Sequence, residues 1–255
     1  MRRFRSHLLQ LALGALLLHV LWVIGYLALR SEVLPAPWQV YRHMLQMDWT
    51  ALAEHSLQSL ARIAWGIALA SLLGWLLALG MVSLPRFGRS LSTFIYFSYP
   101  IPKLALLPVV MLLAGLGEAT KVIMIVLIIL FQLAVTMRDA LLQIPAEHFA
   151  LLQSLGASWS ARLRHILLPA VLPAFLSALR IALGTAISVL FITETYGTTL
   201  GLGYYITDAW MRIDYLDMYA GIALLSVIGL SIFVLIDLLE ALLCPWTQRA
   251  SEQPL

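Results

Sequence analysis

Six long apolar stretches, at residues 8–29, 57–81, 91–114, 122–137, 173–196 and 218–243, leave this chain little choice of solvent. All but 122–137 reach the ~20 residues that a helix needs to cross a bilayer, and that stretch has room to extend back through Glu118. Charged residues make up 11% of the chain and hydrophobic ones 62%, where a soluble domain carries roughly a quarter charged residues. So few charges cannot cover a water-facing surface, and lipid must replace water over much of it. The chain reads as an all-α membrane protein of about six transmembrane helices. Its expected divisions are an N-terminal membrane helix over 1–30, an outer connection over 31–54, a core over 55–245 and a tail over 246–255.

Met1-Arg2-Arg3-Phe4-Arg5 precedes the first apolar run, and no small-x-small cleavage site follows it. The run also exceeds the roughly 7–15 apolar residues of a signal peptide, so it reads as an uncleaved membrane helix. Six crossings put both termini on one side, and the basic residues choose which. With cytoplasmic termini, Arg2, Arg3, Arg5, Arg86, Arg89, Arg138, Arg162, Arg164 and Arg249 lie inside. Arg30, Arg42, Lys121 and Arg212 lie outside, and Arg62 enters the second helix from there. Nine against five satisfies the positive-inside rule. The expected location is a cytoplasmic membrane, crossed several times, with both termini in the cytoplasm. The outer segments also hold Glu32, Asp48, Glu54, Glu118, Asp208, Asp214 and Asp217.

Several function classes fall away. One cysteine, Cys244, excludes a disulfide framework and a thiolate metal cluster within the chain. No phosphate-cradling glycine loop with lysine, no paired metal-ligand histidines and no nucleophile elbow occurs. The expected catalytic and metal residues are therefore none, and energy must come from a partner or an ion gradient. The arginines are scattered over segment ends, which argues against nucleic acid as a partner. His19, alone in the first helix, reads as a helix-packing hydrogen bond. Trp38, Trp49, Trp210 and Trp246 fall near span boundaries and fit an aromatic belt.

Proline separates this chain from a simple bundle. Tyr99-Pro100-Ile101-Pro102-Lys103 lies inside the third apolar stretch, with Pro108 beyond it. Proline removes a helix hydrogen bond and clashes with the preceding turn. A broken helix survives in a membrane only where protein or water satisfies the freed carbonyls, so this segment either faces a pathway or makes a packing kink. Lys103, Arg180, Glu194, Asp237 and Glu240 lie within or at the ends of apolar stretches, where a centred charge costs roughly 2.5–3.5 kcal/mol. Arg180, Asp237 and Glu240 are close enough to the inner side to reach the interface by snorkelling. Glu194 sits in a polar run through Thr198 that ends at Gly201-Leu202-Gly203, where glycine allows close backbone approach. The candidate pathway residues are Tyr99, Pro100, Pro102, Lys103, Glu194, Thr198, Gly201 and Gly203. Glu194 is expected at an outer gate and Lys103 as an attractor for an anion. The alternative for both is an ion pair or interface anchor.

The stretch at about 138–169 is amphipathic and does not belong in the membrane. Pro145 suits the first position of a short helix, Leu151 and Leu155 then pair at i,i+4, and Phe149 and Leu152 at i,i+3. Gly156 suits the left-handed residue that ends the helix. A second short helix starts near Ser158, and Pro169 and Pro173 mark the return to the membrane. Two short fixed helices make a docking surface, or a hairpin lying on lipid. The spacing here is specific. Gly156-Ala157 begins a run in which nine residues separate Gly156 from Ile166-Leu167-Leu168-Pro169.

That spacing resembles the G-x9-I-x-L-P half of the E-A-A-x3-G-x9-I-x-L-P loop in binding-protein-dependent importer permeases. The E-A-A half departs to Ala150-Leu151-Leu152, with Glu147 one helical turn earlier and able to take over the glutamate's contacts. Ser59-Leu60-x-Arg62-x3-Gly66, Pro100-Ile101-Pro102-Lys103, Gly115-Leu116-Gly117-Glu118 and Gly201-Leu202-Gly203-Tyr204 look like the nitrate/sulfonate/taurine branch of that family. The resemblance covers roughly residues 50–245. It implies the type I ABC importer permease fold (MetI-like) in a bacterial inner membrane. It also implies two ABC ATPase subunits, a periplasmic or lipid-anchored substrate-binding protein and a second permease subunit, a homodimer in the first instance. ATP and magnesium would be held by the ATPases, with no cofactor in this chain. The ATPase-coupling residues it implies are Glu147, Ala150, Leu151, Leu152, Gly156, Ala157, Ile166, Leu168 and Pro169. A self-sufficient secondary transporter or channel is the competing reading, and it leaves the G-x9-I-x-L-P hairpin without a purpose.

Overall fold

A computed structural model describes residues 2–98 and 100–246, with side chains from residue 12 onward. Tyr99 and the tail from residue 247, Arg249 included, lie outside the described residues, as do the side chains of Arg2, Arg3 and Arg5. The described residues are helical with no strand.

Helix α1 (Arg2–Leu29) has none of its apolar 12–29 window buried. It touches the rest of the chain along one face, at the i, i+3 and i+7 positions His19, Trp22 and Tyr26. His19 hydrogen-bonds the Tyr41 hydroxyl, and the Trp22 indole donates to the Pro35 carbonyl at 3.0 Å. Trp22 also stacks on Tyr219 with centroids 5.6 Å apart, and Tyr26 meets Trp38 edge-on at 5.5 Å. The partners Trp38 and Tyr41 belong to a short helix, α2 (Pro37–Met44), inside the expected outer connection. Arg42 and His43 in its last turn suit the negative end of its dipole.

Helix α3 (Trp49–Ser83) opens at Asp48, whose carboxylate accepts from the Thr50 amide at 2.9 Å. Gly66, Ala70, Gly74 and Ala78 form a buried stripe of small residues at four-residue spacing. That stripe lets α6 (Glu118–Leu142) approach closely. A Cβ on Gly66 would meet Ile125 at 2.5 Å, and one on Gly74 would meet Met137 at 3.0 Å. On its other side α6 carries α9 (Leu168–Glu194), and Ile129, Leu133, Ala182, Leu183, Ala186 and Leu190 complete a dry core. Helix α11 (Tyr215–Leu243) lies outside this trio with 6% of its apolar window buried.

Between α3 and α6 the expected broken span is present. Helix α4 (Pro85–Ser98) and the segment Lys103–Ala114 meet at 90°. The second segment is a 3-10 turn (Lys103–Leu106) running into α5 (Leu107–Ala114). Five helices are long and apolar enough to cross a membrane, six if this bent pair is one span. Lys103 places its ammonium 5.8 Å from the centroid of the Phe131 ring.

Three sequence expectations change in detail. Pro145 is the N-cap of α7 (Ala146–Ser154), one residue before the position expected for it. Pro169 and Pro173 do not interrupt the chain: α8 (Trp159–Arg162) runs through a π-turn (Leu163–Leu167) into α9 without a break. In the π-turn the Leu168 amide donates to the Leu163 carbonyl, five residues back. The wider turn makes room for the ring of Pro169, which would collide with the carbonyl four residues behind it in α-register. Arg180, expected to snorkel, pairs instead with Asp237 and with Glu240 at 2.6 Å. Its guanidinium also lies over the Phe233 ring.

Candidate functional site

The end opposite the α7–α8 hairpin carries a polar cluster sunk in apolar surroundings. Arg62 reaches it from α3, Glu118 from the first turn of α6, and Glu194 from the last turn of α9. The Arg62 side chain is 2% exposed and that of Glu194 is not exposed at all. The guanidinium donates to both Glu118 oxygens, from Nε and Nη2, at 2.6 Å each. Nη1 donates to Glu194 Oε1 at 2.6 Å and to the Leu200 carbonyl at 2.8 Å, and Nη2 also meets Thr198 Oγ1 at 3.3 Å. Its fork of N–H donors is thereby fully used.

Glu194 is bound just as completely. The Ser59 hydroxyl lies 2.8 and 2.9 Å from its two oxygens, and the Gly203 amide donates to Oε2 at 2.7 Å. Ser59 Oγ in turn accepts from the Leu202 amide at 2.8 Å. Three donors, the Arg62 guanidinium, the Ser59 hydroxyl and the Gly203 amide, thus satisfy the buried carboxylate without water. The approach demands glycine. Gly201 has φ +124°, and a Cβ there would lie 2.5 Å from the Glu194 carboxyl carbon and 2.6 Å from Arg62 Nη1. A Cβ on Gly203 would lie 2.7 Å from the Phe191 carbonyl oxygen. Close by, Lys121 is 1% exposed and its ammonium donates to the Leu116 and Gly117 carbonyls at 3.0 and 3.2 Å. This clamp bolts α3, α6, the end of α9 and the start of α10 (Leu202–Met211) into one block.

Among the candidate pathway residues, Glu194, Thr198, Gly201 and Gly203 thus come together, and the Glu194 carboxylate is enclosed by its own chain. Pro100, Pro102 and Lys103 lie apart from it at the break between α4 and α5, where Pro100, Ile101 and Pro102 are exposed. The candidate set omitted Ser59, Arg62, Glu118 and Lys121, although two of the quoted sequence fragments contain the first three. A charge in an apolar run needs a partner, so Arg62 was the available signal. Among the described residues no group of three His, Cys, Asp or Glu side chains is placed to hold a metal ion.

At the other end, α7 closes in a complete Schellman turn: the Ala157 amide donates to the Leu152 carbonyl at 2.9 Å and the Gly156 amide to that of Gln153 at 3.0 Å. Gly156 has φ +71°, and Ser158 caps α8 by accepting from the Ala161 amide. Phe149 turns in against the core while Leu151, Leu155 and Trp159 are 61%, 72% and 60% exposed. Ile166, Leu168 and Pro169 follow in and after the π-turn, so hairpin and membrane helix form one continuous arm. The result is a capped, stiff knob with an apolar face.

Residues 70–249 match the protein family described as "Binding-protein-dependent transport system inner membrane component". The chain is 31% identical to the formylaminopyrimidine transport permease protein ThiX of Halalkalibacterium halodurans, over 92% of this chain and 94% of that one. It is 32% identical to the taurine transport system permease protein TauC of Escherichia coli, over 91% and 87% of the two chains. A putative aliphatic sulfonates transport permease protein, SsuC of Bacillus subtilis, is 28% identical over 92% and 86%. An inward-facing structure of the MetNI methionine ABC transporter superposes with a TM-score of 0.57 at 20% identity, covering 76% of this chain and 94% of that one. This likeness is one of fold.

Proposed function

From the premise that the chain belongs to the family of binding-protein-dependent transport system inner membrane components, we propose that it is the membrane-spanning permease of an ATP-driven importer. A soluble binding protein delivers the solute at the clamp end, and ATPase subunits seat on the α7–α8 hairpin in the cytoplasm. The permease is no enzyme, and ATP and magnesium are held by those partners. The observation that carries this reading is the hairpin: its apolar residues Leu151, Leu155 and Trp159 face outward from two capped helices, continuous with a membrane helix. A linker has no use for such rigidity, whereas a lever needs it.

The break between α4 and α5 supports a second permease subunit. Ile101 is 51% exposed in the single chain, yet irregular backbone does not face hydrocarbon. A second copy and a water-filled pathway between the two copies satisfy that backbone, with Lys103 near the path. The named relatives point to a small solute such as taurine, a sulfonate or a formylaminopyrimidine. Of these classes a small organic anion is our reading, suited by Lys103.

The test is a gentle pull-down of the tagged chain from native membranes, with every co-purifying protein identified by mass. A nucleotide-binding ATPase in equimolar amount is the expected result, together with uptake that persists when the proton gradient is dissipated and ATP maintained. A chain that comes down alone as a stable oligomer, with uptake lost alongside the gradient, overturns the proposal.

A further inference from the structure

Neither the clamp nor the knob uses the cavity at the hairpin end of the bundle, where α3 and α6 end and α4 begins. The cavity encloses about 470 Å3, within the roughly 300–1,000 Å3 of small-ligand pockets. Its walls are fixed. The Gly88 amide donates to the Leu84 carbonyl at 2.8 Å, and a Cβ on Gly88 would collide with the Met81 carbonyl. The first turn of α4 therefore lies hard against the end of α3. Buried Met81 and exposed Leu142 give the cavity apolar sides.

Its polar lining is made of donors. Arg89, Ser92 and Thr93 enter from α4 and Arg138 from α6, and no carboxylate lines it. Arg89 forms no ion pair among the described residues. Its Nε reaches only the Pro85 carbonyl of its own helix, at 3.4 Å. Arg138 commits Nε and Nη2 to Asp139 Oδ1, at 2.9 and 2.6 Å, and Nη1 to Ser92 Oγ at 2.9 Å. Those bonds engage three of its five N–H groups. Ser92 accepts in that contact, so its own proton remains to be donated, whereas Thr93 gives its proton to the Arg89 carbonyl at 3.0 Å. One carboxylate, Asp139, stands against two guanidinium groups, and no acidic residue occurs between Glu54 and Glu118. A donor-lined cavity with an unbalanced positive charge selects an oxyanion.

We propose that Arg89, Arg138 and Ser92 bind a tetrahedral oxyanion at the hairpin end of the bundle. Two sources carry that chemistry: the phosphate of a phospholipid head group, and a soluble phosphate or sulfonate of the same shape. Exposed Leu84 and Phe87 flank the start of α4, where the acyl chains of a bound lipid would lie. Basic pockets between membrane helices hold anionic head groups in this way. The site needs only the membrane placement of α3, α4 and α6, and stands apart from the importer reading.

The full chain, purified in an uncharged detergent, is tested with two probes. In one arm it is loaded from equimolar phosphatidylglycerol and phosphatidylcholine, washed with detergent and weighed by native mass spectrometry. In the other its thermal unfolding is followed as sodium sulfate is added, against sodium chloride at equal ionic strength. The wild type is expected to retain phosphatidylglycerol over phosphatidylcholine, to be stabilised by sulfate beyond chloride, or both. Arg89→Gln gives up a charge-assisted contact and should weaken that binding about tenfold. Ser92→Ala removes an uncharged donor and should weaken it less. Arg86→Gln takes the same charge from the same helix outside the cavity and should leave binding unchanged. Retained lipid without a sulfate response identifies a head group as the ligand, and a sulfate response without retained lipid identifies a soluble oxyanion. Failure of both probes on the wild type overturns the proposal. So does unchanged binding in Arg89→Gln and Ser92→Ala. An equal loss in Arg86→Gln overturns it too, since it would give the binding to surface charge at large.

Discussion

Replacing Glu194 by glutamine changes almost no volume and removes one charge from a place that water does not reach. The carboxylate there accepts from Arg62 and Ser59 at one oxygen and from the Gly203 amide and Ser59 at the other. Glutamine offers one carbonyl and one NH2. Whichever way its amide is turned, the NH2 group faces either a guanidinium N–H or a backbone N–H, and one buried donor loses its acceptor. Breaking a buried pair from one side costs roughly 3–5 kcal/mol. Glu118 makes two bonds of 2.6 Å to the same Arg62, but its side chain is 55% exposed. Water replaces what Glu118→Gln loses, so that change costs about 0–1 kcal/mol. At roughly 2–4 °C per kcal/mol for a chain of this size, the purified protein in mild detergent should melt about 6–20 °C lower with Glu194→Gln. The loss with Glu118→Gln should stay under about 4 °C on the same scale. Thermal unfolding followed by intrinsic fluorescence reads both. Equal shifts, or a larger shift for Glu118→Gln, would refute the claim that burial, rather than bond length, sets the strength of this clamp.

Three further outcomes follow from the same geometry. Gly201→Ala places a Cβ against Glu194 and Arg62 and should lower the melting temperature well beyond Gly115→Ala. The latter, at φ +81° with nothing within 4 Å of the added atom, pays only the left-handed strain of about 1–2 kcal/mol. Arg180→Met leaves Asp237 and Glu240 facing each other with no cation between them, so less protein should reach the membrane on immunoblots, with partial rescue by Asp237→Asn. Burial, reinforced by Asp217, raises the Tyr205 hydroxyl above its ordinary value, so the folded chain keeps a proton that the unfolded chain releases above about pH 10. Stability should fall as pH rises through that value, and a pH series on Tyr205→Phe should show a shallower alkaline loss.

The spans were legible because each apolar run announces its own solvent, and the hairpin because Gly156 and the prolines punctuate it at fixed spacing. The left-handed Gly156 and the α4–α5 break follow from local backbone chemistry, which needs no knowledge of distant residues. The clamp is different. Arg62 meets partners 56 and 132 residues away, and the sequence, offering several lone charges in apolar runs, does not say which of them meet. Lys121 hides further, since its partners are backbone carbonyls that leave no mark in a sequence. Pro145 shifted by one position because proline suits both the N-cap and the first turn. The π-turn escaped because nothing in Leu163-Arg164-His165-Ile166-Leu167 marks a widened ring until Pro169 is fitted behind it.

That widened ring also acts as a phase shifter. One residue advances a helix by about 100° and 1.5 Å. A π-turn holds one residue more than the α-turn it replaces, so it sets the angular position of everything before it relative to α9. Shorten the nine-residue interval between Gly156 and Ile166 by a single position, and the knob bearing Leu151, Leu155 and Trp159 swings through more than a quarter circle about the membrane helix. Every other side chain would survive such a deletion, yet the apolar face would point away from whatever it had been aimed at. The spacing is an angle written as a count of residues.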